Sequence, residues 1–71
     1  MKRHVPATRV LTVKEVANYL HLSRTTIFRL VRRHELPAFK IGYDWRFNVE
    51  QIDSWRAEQE IRYRDADQAF S

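Results

Sequence analysis

The amino-acid sequence predicts a mainly α-helical domain with one small β-hairpin, in the order helix, helix, hairpin, helix. Three observations indicate this fold. Apolar residues recur with the helical period in three segments, and a capping residue precedes each segment. A short apolar–polar alternation on both sides of the only glycine indicates the hairpin. With 71 residues, the chain is long enough for one small domain.

The first helix is marked by a capping box. Thr12 supplies a hydroxyl and Glu15 a carboxylate, and each closes an otherwise unpaired backbone N–H group. The apolar residues that follow lie on one side of a helix, and they are Val13, Val16, Ala17 and Leu20. The helix is expected to end near Leu20 or His21. Because the turn after a helix often needs a positive φ, we predict either a positive φ at His21, where glycine is the easier occupant, or a turn reshaped to avoid it.

The second helix is predicted from its N-cap Ser23 to about Arg33. Its buried face comprises Ile27, Leu30 and Val31. Ala17 is a small residue in the middle of the first helix's apolar face, where the second helix must cross closely. Two short helices joined by a tight turn are typical of a helix-turn-helix, whose second helix has the right width for the major groove of DNA.

The exposed side of the second helix carries the residues that point to DNA binding. Arg29 and Arg32 project away from the core, and guanidinium groups pair bidentately with guanine. Hydroxyl groups near the helix start and the remaining cations suit backbone phosphates, and these residues are Ser23, Arg24, Thr25, Thr26, Arg33 and Lys40. The alternative is that these arginine residues form only a solvent-exposed helix face that binds no DNA. However, no acidic residue lies between Val16 and His34, so this face has no internal salt-bridge partner.

Pro37 ends the second helix, and the hairpin and third helix follow. Gly42 and Asp44 mark the turn between two strands. We expect one apolar sheet face covered by the third helix, with a core of Phe39, Ile41, Trp45, Phe47, Ile52 and Trp55. Asn48 is the expected N-cap of the third helix, with Gln51 completing a second capping box. Beyond Ala57 its apolar face thins, so it is expected to continue as a solvated helix that frays over residues 66–71.

The net charge of +4 is unevenly distributed. Residues 1–34 carry eight Lys and Arg against Glu15 alone, whereas residues 35–71 carry five basic and eight acidic side chains. A polyanion should therefore meet the first half of the chain. Residues 1–10 are expected to form a flexible basic arm; the alternative is that they are a tail without a role in binding.

The sequence thus divides into three parts: this arm, a folded domain at 11–57, and a helical extension with a frayed tail at 58–71.

Composition excludes several classes of function. Without cysteine there is no disulfide, no cysteine-based zinc site and no thiol nucleophile. The histidines lack metal-ligand spacing, and no carboxylate pair or phosphate-binding glycine loop is recognisable. We therefore predict no cofactor, no metal and no enzymatic activity. No apolar run has the length of a membrane span and no signal-peptide core is present, so a cytoplasmic protein without a membrane partner is expected.

The segment from Leu11 to Trp55 resembles the excisionase-type helix-turn-helix domains, which are related to the MerR-like winged-helix fold. The motif pieces, in the family's order, are LTVKEVANYL, LSRTTIFRLV, ELPAFKIG and WRF followed by IDSW. The resemblance implies a winged helix-turn-helix. The recognition helix, Ser23 to Arg33, would enter the major groove, and the hairpin, Phe39 to Phe47, would be a wing on the neighbouring backbone or minor groove.

Proteins of this type act as excision factors of phages or mobile elements, or as compact transcription regulators. The implied partners are double-stranded DNA and either a site-specific recombinase or RNA polymerase. Since one small module contacts few base pairs, cooperative self-association on DNA is also expected. The alternative is a protein-interaction adaptor on the same scaffold, suggested by the acidic second half of the chain with Tyr63 and Phe70.

Three positions depart from the family pattern. Phe28 stands where Tyr is frequent, His34 where Gly usually ends the recognition helix, and Tyr43-Asp44 where a basic residue often follows the glycine. Asp44 would repel phosphate, so the better wing contacts are expected on the outward side of the strands, from Lys40 and Arg46. Tyr43 is expected either to stack on sugar edges or to pack on the domain. The complete set of predicted DNA-binding residues is Ser23, Arg24, Thr25, Thr26, Phe28, Arg29, Arg32, Arg33, Lys40, Tyr43 and Arg46.

Overall fold

The computed structural model describes residues 9–69, which form three helices and a small antiparallel sheet. The elements in chain order are β1 (Val10–Leu11), α1 (Val13–Leu20), α2 (Arg24–Arg32), β2 (Phe39–Ile41), β3 (Asp44–Asn48) and α3 (Val49–Ala69). The predicted order of helix, helix, hairpin and helix is confirmed, and the arrangement is a winged helix-turn-helix. Most of the predicted basic arm, residues 1–8, and the last two residues of the predicted tail lie outside the described residues.

The capping box of α1 is present as predicted. The Thr12 hydroxyl accepts a hydrogen bond from the backbone N–H of Glu15 at 3.1 Å, and the Glu15 carboxylate accepts one from the backbone N–H of Thr12 at 2.9 Å. Thr12 itself is extended, with φ −80° and ψ 173°. This reciprocal pair fixes where α1 begins and therefore how it approaches the sheet.

Helices α1 and α2 both end in the same left-handed cap, with a histidine in the strained position. His21 has φ 59°, as predicted, and His34 has φ 58°. The backbone bonds are those of a Schellman motif. Leu22 N–H donates to the carbonyl of Ala17, and Glu35 N–H donates to that of Leu30, both at 2.9 Å. His34 thus takes a left-handed conformation, in which glycine would be the easier occupant.

Replacing His21 by glycine is expected to stabilise the fold. A left-handed residue with a Cβ costs roughly 1–2 kcal/mol, which exceeds the ~0.5–1 kcal/mol that glycine loses in chain entropy. The free energy of unfolding of His21→Gly should therefore rise by about 0.5–1 kcal/mol, seen as a higher urea midpoint at an unchanged slope. Asn18→Gly, within α1, is the matched control and should lower it by a few tenths of a kcal/mol. If both variants had a lower free energy of unfolding than the unaltered protein, the conformation of His21 would not be strained.

The sheet has the strand order β1–β3–β2, with all pairs antiparallel. The wing, β2 and β3, is joined by the two-residue loop Gly42-Tyr43, in which Gly42 has φ 64°. A glycine with positive φ at the first loop position is what a type II′ hairpin turn requires. Strand β1 was not predicted. Its two residues pair with the end of β3, Val10 with Asn48 and Leu11 with Phe47.

The strand register corrects the predicted faces of the wing. Lys40 pairs with Trp45, and Phe39 pairs with Arg46. Directly opposite residues in an antiparallel pair share a face. Lys40 therefore lies on the face of Trp45 and Phe47, and Arg46 lies on the other face, so the prediction that both cations share the outward side was wrong. The predicted core position of Ile41 was also wrong, since it is 59% exposed.

The core lies between α1, α2, the Phe47 face of the sheet and the start of α3. The residues that are nearly inaccessible are Leu11, Val16, Ala17, Ile27, Val31, Leu36, Phe47 and Ile52. Most of the predicted helix faces are thus confirmed, while Leu11 and Leu36 had not been assigned to the core. Trp45 and Trp55 are partly buried and pack against this cluster, whereas Phe39 does not belong to it.

Helix α3 follows β3 without a separate cap. The backbone N–H of Val49 donates to the carbonyl of Arg9 at 2.9 Å, and the structure has no capping bond between Asn48 and Gln51. The second capping box was therefore a wrong prediction, because Asn48 belongs to β3 and the carbonyl of Arg9, the residue before β1, accepts from the first helical N–H. Farther along α3, Asp53 accepts a hydrogen bond from the Tyr19 hydroxyl of α1, which raises the pKa of Tyr19 above its ordinary value.

Candidate nucleic-acid interface

Helix α2 presents an exposed cationic side. Its buried residues are Ile27 and Val31, and the side chains turned away from them are exposed. The arginines of this helix and its cap are Arg24, Arg29, Arg32 and Arg33, and all four are exposed. Among the side chains that the structure describes, those of residues 9–66, no carboxylate oxygen lies within 4.0 Å of them. Their guanidinium groups are therefore free to meet an external anion.

Hydroxyl groups gather at the start of α2. The Ser23 hydroxyl accepts from the backbone N–H of Thr26 at 3.1 Å and donates to the Thr26 hydroxyl oxygen at 3.0 Å. Because the Thr26 oxygen accepts this bond, its own proton is left for another acceptor. Thr25 is exposed, and Phe28 is 37% exposed on the same helix. The predicted residues of α2 are thus exposed to solvent, except for the half-buried Thr26.

The three predicted DNA-binding residues of the wing lie in different environments. The Lys40 ammonium lies over the Trp45 ring, 4.9 Å from its centroid, in a cation–π contact. Arg46 donates to the backbone carbonyl of Trp45 at 2.9 Å and lies 3.9 Å from the Asp44 carboxylate. Tyr43, at the wing tip, is 95% exposed. Arg46 is therefore partly neutralised within the wing, and Tyr43 does not pack on the domain.

A groove of about 320 Å³ opens between α2, the wing tip and the start of α1. Its lining residues are Thr12, Val13, Lys14, Phe28, Tyr43, Asp44, Trp45 and Arg46. Lys14 is not among the DNA-binding residues predicted from the sequence. No local pattern could connect it with the wing, because three separate elements form this groove.

A groove of about 630 Å³ lies between the segment that follows α2 and the start of α3. The apolar part of the lining includes Leu36, Pro37 and the partly buried Trp55. Three carboxylates line it as well, and they belong to Glu35, Glu50 and Glu58. A neighbouring groove of about 430 Å³ continues along α3 to Arg62. This second groove includes Leu30 of α2 and is lined by two carboxylates, Glu35 and Glu58, against the one cation, so the two flanks of α2 differ in charge.

The described residues offer little for other chemistry. They contain no group of three or more His, Asp or Glu side chains placed to hold a metal ion. In the same part of the chain, none of the helices combines the length and the apolar character that crossing a membrane requires.

Comparison with known proteins identifies a matching protein family. Residues 10–60 match the profile of a family described as "Helix-turn-helix domain". "Putative DNA-binding protein Rv0500A" of Mycobacterium tuberculosis is 40% identical over 45 residues, which cover 63% of this chain and 58% of that protein. "Uncharacterized protein Rv2310" of the same species is 33% identical over 61 residues, covering 86% of this chain and 54% of that protein.

A more distant relative comes from another genus. "Uncharacterized protein YvgK" of Bacillus subtilis is 31% identical over 49 residues, which cover 69% of this chain but only 16% of that protein. No solved structure is significantly similar to the chain. The chain therefore spans little more than half the length of the mycobacterial relatives that it matches.

Proposed function

This chain belongs to the helix-turn-helix domain family, and from that membership we propose that it binds double-stranded DNA. Helix α2 enters the major groove, and the wing lies on the adjacent backbone or minor groove. A relative of 40% identity carries the name of a DNA-binding protein, which supports the proposal. Since the major groove accepts one α-helix, α2 has the appropriate width to reach base edges.

The observation that carries this proposal is the arginine surface of α2. Four exposed guanidinium groups on nine helical residues and their cap have no carboxylate partner among the described residues. Such an arrangement is electrostatically unfavourable in isolation and becomes favourable next to phosphates and guanine edges. A structural role would instead be expected to place Glu or Asp at helical spacing beside them.

The roles follow from position on the helix. Arg29 and Arg32, farthest from the core, read bases. Phosphates are contacted by the residues at the helix start and end, namely Ser23, Arg24, Thr25, Thr26 and Arg33. Phe28 offers an apolar surface to sugars or a thymine methyl group. In the wing, Lys40, Tyr43 and Arg46 reach the neighbouring backbone. Lys40 does so from the Trp45 face, so the wing contacts come from two sides of the hairpin.

For the biological role we propose an excisionase-like factor or a small transcription regulator that acts on DNA in the cytoplasm. A recombinase would be the protein partner in the first case and RNA polymerase in the second. The domain buries only about 600–1,000 Å² on DNA if it resembles other single modules. Adequate specificity then requires either such a partner or cooperative binding of several copies.

The proposal predicts a strong salt dependence of DNA binding. If about five phosphates are neutralised, the slope of log K against log salt concentration should be near −4 to −5. Fluorescence anisotropy with labelled duplexes measures it, and repeated selection from a random pool supplies the cognate site. A slope near zero would contradict a phosphate-contacting surface.

A second candidate function, a protein-interaction adaptor, is favoured by α3. This helix continues to Ala69, beyond the matched family segment, and it exposes Ile61 and Tyr63 at 51% and 76%. The same measurement separates the two candidates. No duplex binding at low salt with micromolar protein would favour the adaptor, whereas salt-dependent binding favours the DNA-binding protein.

A further inference from the structure

The groove between α2, the wing tip and the start of α1 is placed where one DNA strand would pass. If α2 lies in the major groove and the wing on the neighbouring backbone, a sugar–phosphate strand runs between them. We propose that this strand occupies the groove and that the ammonium group of Lys14 contacts a phosphate there. This rests on the proposed function and adds α1 to the DNA-contacting elements.

Lys14 is the cation of this groove that remains available. Its side chain has no carboxylate oxygen within 4.0 Å among the residues that the structure describes. Its neighbour Glu15 is occupied by the capping box. Arg46, across the groove, is held by the Trp45 carbonyl and lies beside the Asp44 carboxylate. A phosphate entering the groove would therefore be attracted mainly by Lys14.

The position of Lys14 is not explained by the stability of its helix. It is the second residue of α1, at the positive end of the helix dipole, where an acidic side chain stabilises and a basic one destabilises. The capping contacts of α1 come from Thr12 and Glu15. A lysine here lowers helix stability, and its exposed charge becomes favourable when an anion lies in the groove.

The opposite flank of α2 supports this placement by its charge. The groove beside Leu30 is lined by the carboxylates of Glu35 and Glu58 against one cation, Arg62. Phosphates would be repelled from that side and attracted to the Lys14 side. Phe28, which lines the Lys14 groove, offers an apolar surface to a deoxyribose. The groove therefore combines a free cation with an apolar wall, as a sugar–phosphate strand requires.

The test compares Lys14→Ala with Arg62→Ala on a duplex of random sequence. Both variants lose one positive charge, but Arg62 lines the groove on the other flank of α2. Over about 50–200 mM salt, Lys14→Ala should make the slope of log K against log salt less negative by about 0.9 and weaken low-salt binding severalfold. Arg62→Ala should leave the slope unchanged. The melting temperature of Lys14→Ala should stay the same or rise, which shows that weaker binding does not come from unfolding.

Asp44→Asn provides a second, independent variant. Asp44 lines the same groove, and removing its negative charge should tighten binding of the same duplex. Equal slopes for Lys14→Ala and Arg62→Ala, with unchanged affinity for Asp44→Asn, would overturn the groove contact while leaving the proposed function intact. No binding by the unaltered chain at low salt would overturn the proposed function, and this contact with it.

Discussion

Phe47→Ala should leave most molecules of this protein unfolded at room temperature. Phe47 lies on the central strand β3, is completely inaccessible to solvent, and pairs with Leu11 across the sheet. Its cluster also contains Ile27 of α2 and Ile52 of α3, so this one side chain belongs to the core shared by the sheet, α2 and α3. Truncating a buried phenylalanine to alanine costs about 3–5 kcal/mol. The whole core of so small a domain rarely supplies more than about 3–5 kcal/mol, so little or nothing would remain.

Urea unfolding followed by far-UV circular dichroism and by the fluorescence of Trp45 and Trp55 measures this effect. The matched control is Phe28→Ala, the same substitution at a residue that is 37% exposed. It should change the free energy of unfolding by less than about 1 kcal/mol. If both variants unfolded at the same urea concentration, Phe47 would not be the centre of the core.

Local signals in the sequence predicted most of the fold. The Thr12 and Glu15 capping box, the positive φ at His21 and the glycine turn at Gly42 were each predicted from a few neighbouring residues, and each is present. These features depend on contacts within one turn, so a short stretch of sequence contains their cause. The arginine side of α2 was predictable for the same reason, because the helical period alone places Arg29 and Arg32 opposite Ile27.

Features that depend on distant pairings were not predictable in this way. Strand β1 has only two residues and forms because β3 has an unpaired edge near Asn48. The wing register depends on the two-residue loop, which pairs Ile41 with Asp44 and thereby turns Ile41 away from the core. Alternation alone gives two equivalent faces and does not say which one is buried.

The same limit applies to the candidate interface. The charge imbalance between the halves of the chain was visible in the sequence, but not its arrangement around α2. The structure brings Lys14 and the wing to one flank of this helix, and Glu35 and Glu58 with the single cation Arg62 to the other. A surface of mixed sign next to a recognition helix orients the helix on DNA, because phosphate is attracted on one side and repelled on the other.

Arg29→Ala should produce a large loss of DNA recognition that depends on the DNA sequence. Arg29 lies on the side opposite Ile27 and has no carboxylate partner among the described residues. Loss of a bidentate contact to guanine should cost about 1–3 kcal/mol on the selected cognate duplex, which corresponds to an affinity weaker by about fivefold to 150-fold. On a duplex of random sequence the loss should be small, because there the variant loses only the electrostatic attraction between the Arg29 charge and the DNA phosphates.

Two control variants distinguish a contact to bases from electrostatic attraction to phosphates. Arg29→Lys keeps the charge but not the planar fork, so it should bind random DNA normally and still lose most of the preference for the cognate site. Lys40→Ala, in the wing, should weaken both duplexes to a similar degree, as expected for a phosphate contact. If Arg29→Ala weakened both duplexes equally, Arg29 would be a phosphate contact. Base reading would then have to come from Arg32, the other arginine on the open side of α2.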